Sequence, residues 1–524
     1  MSQRLLLAVA LVAASFLGGC ARALAPAHVL RIADPSDPSS LNPLLAHDQT
    51  TIGYDLLVTQ TLVGLDARNR LVPILVRRIP TRANGEISPD GRTIRYALRR
   101  NVRFADGQPL TSADVAFTLR AILDPRNPVL SQDAYRRIAS LQTPDAHTVV
   151  VHLKRPWRAA VRELFAESDF AFGILPAHAF ASTVLAHAAW ENHAFGTGPF
   201  RVKHWQRGGR IVLERNPYFS PRPKLDRIVL QMMPDINSSF VALRTGEIDM
   251  MTLDTDQVAQ ARALPGIRVQ TTLVNGVMWL TLQSASGPTA DERVRRAISD
   301  ALDVGEIERR YHSLFPRAAS FIPAVMGVAV PGLNPPHRDR PEAARLLDLA
   351  GWPLVQGVRM RNGEPLRLLF VTQPGSLAGI EPIVQRQLQA IGIQTEIKSF
   401  TPTTFNAPTG PIRTGHFGIS ADAFIGGSDP EQSVVFACSQ IGVDGNNIAR
   451  FCDPSFDRLY ADQASAPEAR RRADFESMER LIALRRPIVP LNDLVEFDAL
   501  STRVHGFARN MLEYPVSPEA WDVR

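Results

Sequence analysis

The stretch from Phe195 to Phe219 constrains this chain most. Two alternating runs, Phe200 to Trp205 and Arg210 to Arg215, flank Gly208-Gly209. A glycine pair between such runs predicts a tight β-hairpin. Gly196 and Gly198 allow a sharp turn ahead of it, and Pro199 stiffens the exit by locking φ. The hairpin lies near the middle of 524 residues, with extended patterns on both sides. We expect it to sit in a central lobe that the chain leaves and re-enters. A chain this long exceeds one hydrophobic core and predicts two or three domains.

Before the hairpin, Val29 to Ala33 reads as a strand that ends in a loop broken by Pro35, Pro38 and Pro43. A helix is expected from about Thr51 to Leu62. Residues 73–192 form a second unit. Ile94, Tyr96 and Leu98 alternate as a half-buried strand, and Val149, Val151 and Leu153 make another. Between them Thr111 and Asp114 open a helix in the manner of a capping box. After the hairpin come a strand at Ile228 to Met232, a helix stopped by Gly246, and a strand region from Thr271 to Leu282. A third unit covers about 284–499. In it Leu366, Leu368 and Phe370, then Val384, Leu388 and Ile391 ending at Gly392, then Ile393, Thr395 and Ile397 give a parallel βαβ crossover. A long helix spans about 466–484. The pattern from about 500 is extended again.

The first residues are of another kind. Arg4 precedes an apolar run from Leu5 to Leu17 and then Gly18-Gly19-Cys20. This is an export signal, shorter than a membrane span. Leu17-Gly18-Gly19-Cys20 also resembles a lipobox, in which Cys20 is lipidated; cleavage near Ala25-Pro26-Ala27 is the alternative. Residues 1–19 are excluded from the fold either way. Export bears on the other two cysteines, Cys438 and Cys452, because outside the cytoplasm an even pair bridges more often than not. Two unpaired thiols are the alternative. The net charge of +6 comes from scattered Arg residues without a long run, which reads as solvated surface rather than a nucleic-acid footprint.

The chemistry motifs are missing. There is no Gly-x-Gly-x-x-Gly, no Walker sequence, no His-Glu-x-x-His and no Gly-x-Ser-x-Gly. His178, His187 and His193 are spaced wrongly to share a helix turn, and no calcium-loop spacing surrounds Asp453, Asp457 and Asp462. We expect neither catalysis nor a cofactor or metal.

An ordered set of short motifs carries a resemblance instead. The set includes Leu41-Asn42-Pro43, Val102-Arg103-Phe104-Ala105-Asp106-Gly107, Gly196-Thr197-Gly198-Pro199-Phe200, Arg215-Asn216-Pro217-Tyr218-Phe219 and Gly246-Glu247-Ile248-Asp249. It ends with Ala343-Ala344-Arg345-Leu346-Leu347 through Gly351-Trp352. In these the chain resembles the solute-binding proteins of bacterial peptide-type ABC importers. The resemblance implies an α/β bilobal periplasmic-binding-protein fold. Lobe I would take 28–72, 193–283 and 500–524, with 73–192 as an inserted subdomain, and lobe II 284–499. It implies a monomer in the periplasm that closes on a peptide and delivers it to a permease–ATPase complex, held at the membrane by the N-terminal lipid. A family member binding a nickel complex, an opine or a sugar derivative is the alternative; a secreted hydrolase is a more distant one.

The resemblance also implies a site. Gly418-Ile419-Ser420-Ala421-Asp422 resembles the family's strand and acid, with Gly418, Ile419 and Ser420 pairing with the peptide backbone and Asp422 holding its α-ammonium; a loop Asp that satisfies local backbone N–H groups is the alternative. The family's Trp is replaced by Ile419, and the loop Thr372-Gln373-Pro374-Gly375-Ser376 lacks the Arg of dipeptide binders, leaving Gln373 as the polar contact there. Cys438 and Cys452 fall where dipeptide-binding relatives carry a bridged loop.

Overall fold

A computed structural model of the chain describes residues 28–46, 49–129, 131–185, 189–333, 338–374, 379–443 and 445–524. The export signal and Cys20 lie outside the described residues. Ten strands form one mixed sheet. They are β1 (Val29–Asp34), β2 (Phe200–Gln206), β3 (Arg210–Arg215), β4 (Arg227–Met232), β5 (Met250–Thr252), β6 (Ile267–Leu282), β7 (Arg367–Thr372), β8 (Gln394–Ser399), β9 (Ile419–Ile425) and β10 (Ile488–Ser501). Their spatial order is β8-β7-β9-β6-β10-β5-β1-β4-β3-β2.

β6 and β10 organise the molecule. Sixteen residues of β6 reach roughly 50 Å at a strand's rise, longer than a single small domain requires. Ile267 to Leu273 of β6 pair with Val495 to Ser501 of β10, which in turn pairs with β5. Beyond Val277, β6 lies between β9 and the first half of β10. The register breaks between Leu273 and Val277 and again between Met278 and Trp279. Such bulges bend a strand and increase its twist. The two lobes therefore divide inside β6 and β10, near residues 274–277 and 493–495. The expected boundary at 283/284 falls just past the end of β6, and the one at 499/500 falls inside the last residues of β10.

The βαβ crossover of lobe II is present as β7, a helix at Glu381–Gln389, and β8, with β7 and β8 parallel. Its core joins Met278, Leu280, Ile298, Leu347, Phe370, Val384 and Ile419. In lobe I the hairpin β2–β3 turns at Gly208, whose φ is 67°. Gly196 and Gly198 serve close approach rather than a turn. A Cβ at Gly198 would sit 2.6 Å from the Val58 carbonyl oxygen, and its N–H donates to that oxygen at 2.9 Å. The 73–192 segment contributes a three-stranded antiparallel sheet of Thr93–Ala97, Thr148–Leu153 and Ile138–Asp145. Its helix, Ser112–Leu123, begins where the Asp114 carboxylate accepts the Thr111 N–H at 2.8 Å. Leu30, Ile32, Phe200 and Ile228 of the main sheet share one buried cluster with Ile94, Tyr96, Val115 and Val151. The inserted segment and the main sheet therefore share one hydrophobic core.

Candidate functional site

β9 places alternate side chains on opposite faces of the sheet. Ile419 and Ala421 enter the lobe II core, so Ser420, Asp422 and Phe424 take the other face, beside Val277, Trp279 and Thr281 of β6. Trp279 stacks on Phe424 at 5.9 Å and donates its indole N–H to Thr281 Oγ1 at 3.1 Å. Ser420 Oγ donates to Asp422 Oδ1 at 3.1 Å. Asp422 Oδ2 is shielded from solvent with no hydrogen-bond partner among the described residues. Burial pushes this carboxyl up to about 6, against the pull of the Thr281 and Ser420 hydroxyls. A buried, half-satisfied carboxylate is costly, and an incoming cationic donor would relieve it.

The backbone of 418–420 is already used. Phe370 and Val371 of β7 pair with Ile419 and Ser420, while Thr281 and Leu282 of β6 pair with the same two residues on the other side. The Gly418 N–H goes to Leu369 and its carbonyl accepts from Gln283. Gly418, Ile419 and Ser420 thus form an interior strand with no edge to offer a peptide. The pairing with β7 stops at Ser420. From Ala421 to Ile425 no strand lies on the side away from β6, among the described residues. Gln373 follows the end of β7, and its amide oxygen lies 3.5 Å from the Asn406 side chain. The two cysteine sulfurs lie 2.10 Å apart.

A cavity of about 410 Å³ opens between the lobes. One wall is the inserted subdomain, with Tyr135, Trp157, Glu163, Asp169 and Phe172; the other is lobe II, with Phe424, Asp429, Glu431 and Tyr460. Five carboxylates, Asp133, Glu163, Asp169, Asp429 and Glu431, line it beside Arg137. Asp429 is held by Arg471, and Glu431 by Trp157 Nε1 at 3.0 Å and Arg137 at 3.6 Å. Glu163 has no ion-pair partner among the described residues. Burial, then the charges of Asp429, Glu431 and Asp169, hold its carboxyl well above the usual range. Burial also pushes Asp169 up to about 6. The cleft is thus lined by acidic and aromatic side chains.

Contacts cross its rim. The Trp157–Glu431 bond is one; Arg162 Nη1 donates to the Ser428 carbonyl at 3.1 Å, and Ser428 Oγ donates back to the Arg162 carbonyl at 2.9 Å. Arg158 donates its backbone N–H to Ala464 and its Nε to Ala466 at 2.9 Å. At the bend, Asn275 donates from its backbone to Met511 of the C-terminal segment and from its side chain to Gly427 of lobe II. These contacts tie the inserted subdomain and the C-terminal segment to lobe II.

Trp279, Thr281 and the wall from Trp157 to Phe172 were absent from the sequence-derived site. A sharper reading had two signals available: Trp279 and Thr281 alternate on one strand face, and acids and aromatics crowd residues 163–172.

Two lobes joined by bent strands with a charged cleft between them is an architecture suited to holding a solute. The sequence agrees: residues 70–440 match the model of bacterial extracellular solute-binding proteins, family 5, and the chain belongs to that family. A Brucella melitensis protein named for peptide binding in an ABC transporter is 25% identical over 505 residues, covering 92% of this chain and 91% of that one. The oligopeptide-binding protein AppA of Bacillus subtilis, solved with a nonapeptide, superposes with a TM-score of 0.79 at 20% identity, covering 95% of this chain and all of that one. NikA of Brucella suis, solved with Fe(III)-EDTA, superposes at 0.84 with 21% identity and the same coverage.

Proposed function

We propose that this chain is the extracytoplasmic receptor of an ABC importer that captures peptides between its lobes and presents them to the permease–ATPase complex. It acts as a monomer tethered by lipid on Cys20, and the Cys438–Cys452 bridge restrains a loop whose Gln440 and Asn446 line the cleft. The single observation that carries the ligand reading is the shielded, unpartnered Oδ2 of Asp422 beside the open side of β9. A peptide laid along Ala421–Ile425 adds a strand by backbone hydrogen bonds alone, which suits any side chain. Its α-ammonium supplies the charge and donor that Asp422 lacks. The acidic walls favour basic side chains further along. The peptide-binding relatives support this reading.

Thermal melting against a peptide library tests it, because a ligand that binds only the folded state raises the Tm by mass action. Free-amine peptides should raise it, and Asp422→Asn should weaken them more than their N-acetylated forms. Equal loss for both removes the anchor role from Asp422. A shift by a nickel chelate, an opine or a sugar derivative, with none by peptides, selects the other branch of the family.

A further inference from the structure

A second cavity, of about 320 Å³, lies on the far side of Trp157 from the cleft. It is lined by Ile79, Ile87 and Val161 and by three arginines, Arg82, Arg158 and Arg162, with Ser465 of lobe II at its edge. None of the three arginines has a carboxylate partner among the described residues. Arg158 and Arg162 each spend donors on lobe II carbonyls, Ala466 and Ser428, while Arg82 spends none. A guanidinium carries five N–H donors, so each of the three keeps donors that no described residue takes. Burial, then repulsion from Arg82 and Arg471, pulls the Arg158 guanidinium below its usual range, against the pull of Glu468. Three cations line this cavity with its apolar floor, and none of them is ion-paired among the described residues.

We propose that this seam is a second binding site, for a small anion with an apolar tail: a carboxylate or phosphate head among Arg82, Arg158 and Arg162, and a short alkyl chain over Ile79, Ile87 and Val161. The chemistry follows from the lining. Guanidinium groups bind carboxylate and phosphate in fork geometry, and the apolar floor excludes a fully hydrated inorganic ion. The volume lies at the lower end of small-molecule pockets. Arg158 and Arg162 already reach lobe II, so an anion held there ties the subdomain to lobe II. Occupancy then favours the closed arrangement and tightens binding in the main cleft, with the reciprocal effect required by linkage.

Calorimetry on the full chain with octanoate, octyl phosphate, inorganic phosphate and octylammonium tests the site. Octanoate or octyl phosphate should bind saturably, while inorganic phosphate and octylammonium should not; which of the two anions binds tighter identifies the head group. The Arg82 side chain is exposed and makes no hydrogen bond or ion pair among the described residues, so Arg82→Glu leaves the fold intact, which its unchanged melting curve would verify, and it should lower affinity roughly tenfold or more. Ile87→Glu, which places a carboxylate on the floor, should do the same. Absence of saturable binding by either amphiphile, equal binding of octylammonium, or affinities that ignore both variants overturns the proposal.

Discussion

Asp422 sits where function and stability oppose each other. Its carboxyl titrates near 6 in the fold against about 4 in an unfolded chain. The folded state thus binds the proton more tightly, so this group's charged form costs stability. The cost is absent below about pH 4, grows as pH rises, and is complete above about pH 6. Asp422→Asn should therefore stabilise the ligand-free protein at neutral pH, by up to about 3 kcal/mol, while weakening binding; urea unfolding and calorimetry on one preparation measure both. Because an ammonium needs the ionised carboxylate, affinity for free-amine peptides should fall as pH drops through about 6, and that step should vanish in Asp422→Asn. An N-acetylated peptide should lack it in the native protein too. Glu163, also raised, adds its own loss of affinity for basic peptides on acidification.

At the scale of elements, β6 and the loop closed by Cys438 and Cys452 set the cleft's shape. Gly276 lies in the first register break, where an added Cβ would stand 2.5 Å from Leu494 Cδ1 and 2.9 Å from the Phe424 carbonyl. Gly276→Val should overpack this point and cost about 1–3 kcal/mol in chemical unfolding, with the bend altered. The fourteen-residue span between the cysteines predicts about 3 kcal/mol of stabilisation from the bridge in the chain-entropy model. Cys438→Ser with Cys452→Ser should lose that amount and weaken ligand binding, since Gln440 and Asn446 are freed with the loop. The βαβ unit, the hairpin at Gly208 and the capping box at Asp114 were all legible in sequence because each is set by neighbours a few residues apart. The span of β6 was not: residues 267–270 lie outside the strand expected from Thr271, and only pairing with β10 extends it.

For the whole molecule the issue is closure. Trp157, Arg158 and Arg162 cross to lobe II through Glu431, Ala464, Ala466 and Ser428, the last of these next to Gly427, which Asn275 of the bend holds. Small-angle scattering should show a smaller radius of gyration with ligand than without. Trp157→Phe keeps the ring but loses its N–H bond to Glu431, so it should lower ligand affinity severalfold and shift the free protein toward the open form, with little change in unfolding free energy. Scattering curves that coincide with and without ligand would contradict hinge closure.

By itself the amino-acid order determined the local elements, the bilobal class through its chain of family motifs, and Asp422 as the acid of interest. It could do so because propensity, alternation and short motifs are written in adjacent residues. Tertiary structure alone decided that 418–420 lie inside the sheet and that β6 and β10 bend between the lobes. It alone brought Glu163 and Asp169 opposite Asp429 and Glu431. Those facts depend on which strands become neighbours and on charges more than two hundred residues apart meeting across one cleft, and no local pattern encodes either.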